Sequence, residues 1–229
     1  MSSDAATNPA SADPPRIGVL AIQGDVAEHL RAIAAAGGVP VQVRRPADLD
    51  GIDGLILPGG ESTTIGMLGG ESGLLAAIRR RLEGGLPAWG TCAGLILLAR
   101  DVGRDQPLIG GLDVTVDRNA FGRQVDSFEV DLDIAGLPGG PFRAVFIRAP
   151  VVRRAGPAVE LLARLDDGTI VAVRQGRLLG TSFHPELTGD SRLHALFLGM
   201  AAAARSAASA GEASAETART AGTATTPAA

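Results

Sequence analysis

The chain has 229 residues, is 45% hydrophobic and carries a formal charge of −4. That is enough apolar material for one substantial core, and the balance argues against a nucleic-acid or anionic-membrane partner. A single cysteine excludes an internal disulfide and fits a reducing cytoplasm, and no apolar run reaches the roughly 20 residues of a membrane span.

The two ends read as different material from the middle. Residues 1–15 (MSSDAATNPASADPP) have no apolar core of signal-peptide type, and 204–229 are small and polar. Both are expected to lack structure, because they bury too little to offset the entropy of ordering. One domain is expected over 16–203. All 21 basic residues are arginine, and they are scattered along the chain.

In chain order, RIGVLAI (16–22) reads as a buried strand. DVAEHLRAIAAAG (25–37) reads as a helix with Asp25 as N-cap and Gly37 as stop. VPVQVRR (39–45) and GLILPGG (54–60) are strands, and SGLLAAIRRRLEGG (72–85) is a helix capped by Ser72. PAW (87–89) is a short strand, and AGLILLAR (93–100) an apolar helix. This order implies a mainly parallel sheet with helices on its faces.

After residue 110 the rhythm changes. Strands are expected at 111–118, 125–134, 142–148, 158–165, 169–175 and 178–183, joined by Gly/Asp/Pro turns. In VDSFEVDLDI, Phe128, Val130, Leu132 and Ile134 alternate and face inward. DSRLHALFLGMAAAA (190–204) closes the domain as a helix.

Cys92 stands in Gly90-Thr91-Cys92-Ala93-Gly94, between a strand and a helix. A lone cysteine is as a rule a small buried hydrophobe. Here the flanking glycines favour a nucleophile elbow with sulfur in place of oxygen. So tight a turn strains the nucleophile's backbone and leaves no room for side chains two residues away. The helix start beside the thiol stabilises negative charge on sulfur, and its N–H groups can hold an oxyanion.

Of three histidines, His29 and His194 fall in expected helices and read as structural or surface residues. His184 ends a strand and opens HPELTGD. In an extended segment His184 and Glu186 share a side, and Pro185 favours that backbone. Cys92, His184 and Glu186 therefore form a nucleophile, base and orienting acid, and predict acyl transfer through a thioester.

These motifs resemble the class I (triad) glutamine amidotransferases. More narrowly, GVLAIQGDVAEH (18–29), LPGGESTT (57–64), WGTCAGLILLA (89–99), RNAFGRQVDSFE (118–129), FIRAP (146–150) and SFHPELTGD (182–190) resemble the glutaminase subunits of pyridoxal 5′-phosphate synthase, the PdxT/SNO family. The resemblance implies an α/β three-layer sandwich, flavodoxin-like, with a mixed, mainly parallel central sheet plus antiparallel hairpins. It implies hydrolysis of L-glutamine to glutamate and ammonia, with no cofactor and no metal. By the same resemblance, Gly60, Glu61, Ser62, Arg118, Ile147 and Arg148 contact glutamine. Gly60, Ala93 and the Gln23-Gly24 peptide are oxyanion candidates. Gly-Glu-Ser recurs at 70–72, where it reads as a helix cap. The implied partner is a (β/α)8-barrel synthase subunit in a 12+12 hetero-oligomer. Arg123 and Glu129 receive no role. Rival readings are a glutaminase subunit of another pathway such as histidine synthesis, a stand-alone γ-glutamyl cysteine hydrolase, and a non-enzymatic module of the same fold.

Overall fold

A computed structural model describes residues 13–118 and 127–222, with backbone alone for 212–222. Arg123 and most of the RNAFGRQVDSFE motif lie outside the described residues.

Among the described residues there are twelve strands: β1 (Arg16–Leu20), β2 (Val39–Val43), β3 (Gly54–Leu57), β4 (Ala88–Thr91), β5 (Ala99–Asp101), β6 (Leu112–Asp117), β7 (Ser127–Leu132), β8 (Phe142–Ile147), β9 (Val151–Ala155), β10 (Glu160–Arg164), β11 (Ile170–Gln175) and β12 (Leu178–Thr181). The helices are α1 (Val26–Ala35), α2 (Ser62–Glu71), α3 (Leu74–Glu83), α4 (Ala93–Leu98) and α5 (Arg192–Gly222). Ten strands form one sheet in the order β2-β1-β3-β4-β12-β11-β9-β6-β5, with β10 on β11, and β7-β8 form a separate hairpin. Neighbours from β2 to β12 are parallel, whereas β11 and β9 run antiparallel to their partners. The mixed, mainly parallel sheet is thus parallel where the helices cross over and antiparallel where turns replace them.

Two cores lie on opposite faces of the sheet. Along β3, Leu55 and Leu57 join Ile65 of α2, Ile78 of α3 and Leu95 of α4; Ile56 between them points to the other side. There it meets Ile33 of α1, Phe197 of α5 and Phe142 and Phe146 of the hairpin. A strand covered on both faces reads as an unbroken apolar run, as β1 and β3 do.

Several expectations are corrected. Asp25 makes no side-chain cap to α1. Ser62–Glu71, unassigned in sequence, is a helix whose three glycines dilute its apolar period. Its end absorbs the second Gly-Glu-Ser: Ser72 is the C-cap of α2, donating to the Gly69 carbonyl at 3.2 Å, and α3 starts from Gly73. The apolar stretch 93–100 splits, helix to Leu98 and then β5. The unassigned VVRRA is β9, with only two of its five residues buried. Helix α5 continues to Gly222 through most of the segment expected to lack structure. Alanine supplies that continuation, being the strongest helix former. Among the described residues no helix is long and apolar enough to cross a membrane.

Candidate active site

Four parallel strands, β1, β3, β4 and β12, end together, and the segments leaving them build one cleft of about 430 Å³. A carboxyl edge of this kind is where α/β sheets carry their sites.

Cys92 leaves β4 with φ 46° and ψ −103° and caps α4. Among the described residues, Cys92 and Arg148 (φ 42°) are the two non-glycine residues at positive φ, and both line the cleft. Such backbone is held only where its surroundings enforce it. Enforcement here comes from close packing. A Cβ on Gly90 would overlap the Gly94 backbone, and one on Gly94 would overlap the Leu57 carbonyl of β3. The Cys92 N–H donates to the Thr181 carbonyl at 2.9 Å, tying the elbow to β12.

His184 is anchored from the opposite side, its N–H donating to the Val145 carbonyl of β8 at 2.8 Å. Its imidazole and the Cys92 thiol line the same cleft, and Cys92 is one of the groups that act on the ring. Nδ1 stands 2.8 Å from Glu186 Oε1 and 3.2 Å from Asp25 Oδ2. The backbone route to this pair differs from the extended one expected: Pro185–Leu187 form a 3-10 turn after His184. The turn still brings residue i+2 back to the ring, and Pro185 fits its first position.

Burial works against charge on His184, yet Asp25, Cys92 and Glu186 outweigh it and push its pKa up to about 12. Burial pushes the Glu186 carboxyl up, offset in part by His184. Asp25, half-buried, is held low by its hydrogen bond from His184. Asp25, His184 and Glu186 also form a set of three donor atoms within 4.8 Å of one another. Their distances are those of one Nδ1–H shared between two carboxylates, which accounts for the clustering without an ion.

The other expected site residues surround the thiol. Gly60, Glu61 and Ser62 lie at the start of α2, Ala93 at the start of α4, and Ile147 and Arg148 at the end of β8; all line the cleft with Gln23 and Arg118. Glu61 is occupied: its carboxylate accepts from the Thr63 and Thr64 N–H groups and from Arg118 Nη2 at 2.7 Å. Despite some desolvation, these bonds from Thr64, Arg118 and Thr63 lower its pKa to about 2. Arg118 also donates to Thr63 and Gln106, so it braces the wall formed by α2. The Glu61 N–H donates to Gln23 Oε1 at 2.7 Å. Gly24 does not line the cleft; it packs against the Gly59 and Gly60 backbone, where any Cβ would clash. Glu186 sits behind His184, buried.

Sequence reading missed Asp25 as a partner of His184, and it missed Ile96 and Leu187 as lining residues. It also placed His29 and His194 too loosely, since both are fully buried beneath the site. The only signal for Asp25 was its position directly after Gln23-Gly24.

The SNO glutamine amidotransferase family model matches residues 19–203. The chain belongs to this family. It is 63% identical over 195 residues to the pyridoxal 5′-phosphate synthase subunit PdxT of Frankia alni, covering 84% of this chain and 98% of that one. To the PdxT of Nocardia farcinica it is 57% identical over 211 residues, 89% of this chain and 93% of that one. A crystal structure of a glutamine amidotransferase superposes with TM-score 0.78 at 52% identity, covering 81% of this chain and 98% of that one. Membership agrees with the motifs read above and with the α/β fold of a class I glutamine amidotransferase.

Proposed function

We infer that the chain is the glutaminase subunit of a pyridoxal 5′-phosphate synthase, releasing ammonia from L-glutamine through a thioester on Cys92. The observation that carries the chemistry is the strained Cys92 sharing one cleft with the His184 imidazole, which two carboxylates hold.

His184 takes the thiol proton of Cys92, the sulfur attacks the side-chain carbonyl carbon of glutamine, and the carbonyl π pair moves onto oxygen. N–H groups at Gly60 and Ala93 stabilise that oxyanion; as first residue of α4, Ala93 has no acceptor for its N–H within the helix. His184 passes its proton to the leaving nitrogen, the C–N bond breaks, and ammonia departs. Water then attacks the thioester, His184 takes its proton, the C–S bond breaks, and glutamate leaves. Glutamine and water become glutamate and ammonia, with the enzyme restored.

Glu61, Ser62, Arg118, Ile147 and Arg148 form the substrate wall. Gln23 at present occupies the Glu61 N–H; a movement of Gln23-Gly24 on docking frees a further donor for the oxyanion. The ammonia acceptor is a (β/α)8-barrel synthase subunit, since this single domain holds no second site able to use ammonia among its described residues. We assign a 12+12 assembly and a cytoplasmic setting.

Glutamate release from glutamine, with and without the barrel subunit, tests this for wild type, Cys92→Ala and His184→Asn. Strong release by wild type only with the partner, and none by either variant, is expected. Turnover by Cys92→Ala would refute the thioester.

A further inference from the structure

Behind Glu186 lies a buried group that the mechanism above does not use. His29 of α1 and His194 of α5 are both fully buried. His29 Nδ1 is 3.0 Å from His194 Nε2, and His29 Nε2 is 3.2 Å from Thr91 Oγ1 and 3.4 Å from Glu186 Oε2. Trp89 closes the pocket, its ring edge-on to both imidazoles with centroids 6.1 and 5.0 Å away. Glu186 Oε2 and His194 Nδ1 are buried and make no hydrogen bond at standard geometry.

We propose that His29 is a positioning residue for glutamine hydrolysis: its Nε2–H, bonded to Thr91, lies beside the outer oxygen of Glu186 and keeps that carboxylate ionised and aligned on His184. This role rests on the triad reading given above.

The tautomer follows from accounting for every buried polar atom. Burial, then the neighbouring His194 and His184, hold the His29 pKa well below its ordinary value, so the ring is neutral and carries one proton. Burial likewise lowers His194 to about 4. Suppose the His29 proton is on Nδ1. His194 Nε2 must then accept, its own Nδ1–H has no acceptor, and Glu186 Oε2 has no donor. Two buried groups are left unpaired. With the proton on Nε2, His29 donates it to Thr91 Oγ1, and the same N–H lies beside Glu186 Oε2, Nε2 to Oε2 being 3.4 Å. Its Nδ1 accepts from His194 Nε2–H, and a lone pair on His194 Nδ1 and the Thr91 hydroxyl hydrogen, both neutral, stay unmatched. Unmatched neutral groups cost less than an unpaired N–H together with a buried charged oxygen that no donor approaches. The result is a directed chain, His194 to His29 to Thr91, alongside Glu186, which accepts from His184.

The charged and titratable groups facing His29 are Glu186 and His184 from the segment after β12 and His194 from α5; β4 contributes only Thr91 and Trp89. Of these groups, His29 places a ring nitrogen 3.4 Å from Glu186 Oε2. Without it the buried carboxyl holds its proton to higher pH, and His184 loses the acceptor that orients it for delivery to the leaving nitrogen. Substrate contacts are untouched.

The first test uses the full chain, whose three histidines permit assignment by 15N imidazole NMR. Nε2 protonated and Nδ1 bare on His29 at pH 7 is expected. An Nδ1–H tautomer or an imidazolium would overturn the role without any variant being made. The second measures glutamine hydrolysis in the complex with the barrel subunit for His29→Phe, His29→Gln, Glu186→Gln and Cys92→Ala. His29→Phe should lower kcat about 10- to 100-fold, with KM within about 2-fold, and move the acid limb of the pH profile upward. His29→Gln, which keeps a donor at similar reach, should recover to within about 5-fold of wild type. If Cys92→Ala and Glu186→Gln are inactive while His29→Phe matches wild type in kcat and profile, the positioning role alone falls. If Cys92→Ala or Glu186→Gln stays active, the triad falls and takes this role with it. Should His29→Phe fail to fold, an unrecovered His29→Gln with a wild-type pH profile would overturn the proposal.

Discussion

Thr91 of β4 stands directly opposite Thr181 of β12 in a parallel pair. From that register each strand runs on by a few residues, one to Cys92 and the other to His184, and nucleophile and base meet above the same sheet edge. The pair is held in step by Ala88 against Leu178, Trp89 against Leu179 and Gly90 against Gly180. A slip of one residue would turn Trp89 and Leu179 out of their shared core and move Cys92 away from His184. The catalytic distance is therefore a property of strand pairing in the most buried part of the molecule.

Cys92→Ala should abolish hydrolysis and leave the fold in place. Alanine keeps the Cβ and removes only the sulfur, so packing hardly changes. A loss of at least about 10³-fold in kcat is expected for removal of a covalent nucleophile. Covalent labelling by a glutamine-analogue electrophile, followed by intact mass, should be lost in parallel.

Gly94→Ala should destabilise the domain where Cys92→Ala does not. The added methyl meets the Leu57 carbonyl of β3 and forces α4 away from the sheet. Overpacking against backbone cannot relax by a rotamer change, and a loss of about 3 kcal/mol is expected. Urea unfolding followed by Trp89 fluorescence would read it; an unchanged midpoint would contradict the close approach of elbow and strand.

Much of this was legible before any coordinates. The strands carrying the site are unbroken apolar runs ending at glycines, and Cys92 between two glycines marks the elbow unaided. The relation of His184 to Glu186 was legible as spacing, though its backbone is a 3-10 turn and not an extended one. What stayed hidden depends on contacts distant in sequence. Asp25 looked like a helix cap because residue type and position suit one, and only the convergence of the segments after β1 and β12 at one sheet edge brings it to His184. His29 and His194 sit on helices 165 residues apart, and nothing local tells a buried imidazole from an exposed one. Helix α2 was obscured by its glycines, and β9 by its two arginines.

Asp25→Asn should lower the proton affinity of His184. One of two carboxylates on Nδ1 becomes neutral, so the imidazolium releases its proton at lower pH and the alkaline limb of the rate profile shifts down. Linkage fixes the sign for stability. The Asp25 pKa is depressed in the folded state, so its contribution is present above the unfolded value near 4 and is lost as pH falls through the folded one. The variant should be less stable than wild type at pH 7 and converge on it in acid. About a third of the side chain is exposed, and solvent screening keeps the difference below about 1 kcal/mol. Thermal melts at pH 7 and pH 3 would separate these cases.

Arg118→Ala should act on binding before chemistry. Its guanidinium joins Glu61, Thr63 and Gln106 and lies 18% exposed at the cleft wall. Losing it frees the Glu61 carboxylate and loosens the first turn of α2. A rise in KM on the order of 10-fold is expected, with a smaller fall in kcat. Arg118→Lys should not restore it, because one ammonium cannot span three acceptors in a planar fork. Full recovery by lysine would mean that charge alone matters.

Ending the chain after Ser206 should leave stability and hydrolysis nearly intact. Among the described residues the buried face of α5 stops at Ala204, and Arg205 bonds Asp53 at 3.0 Å and the Asp13 carbonyl at 2.6 Å. Residues 207–211 are exposed, and the family match ends at 203. Helix beyond that point is maintained by alanine propensity and internal hydrogen bonds, which an isolated segment of this length holds only weakly in water. With the described part of that segment exposed, a change in Tm below about 2 °C is expected. A further cut after Leu198 removes Ala201 and Ala204 from their contacts and the Arg205–Asp53 pair with them, and should lower Tm by several times as much. If the first cut already unfolded the domain, the terminal helix would have to be counted as part of its core.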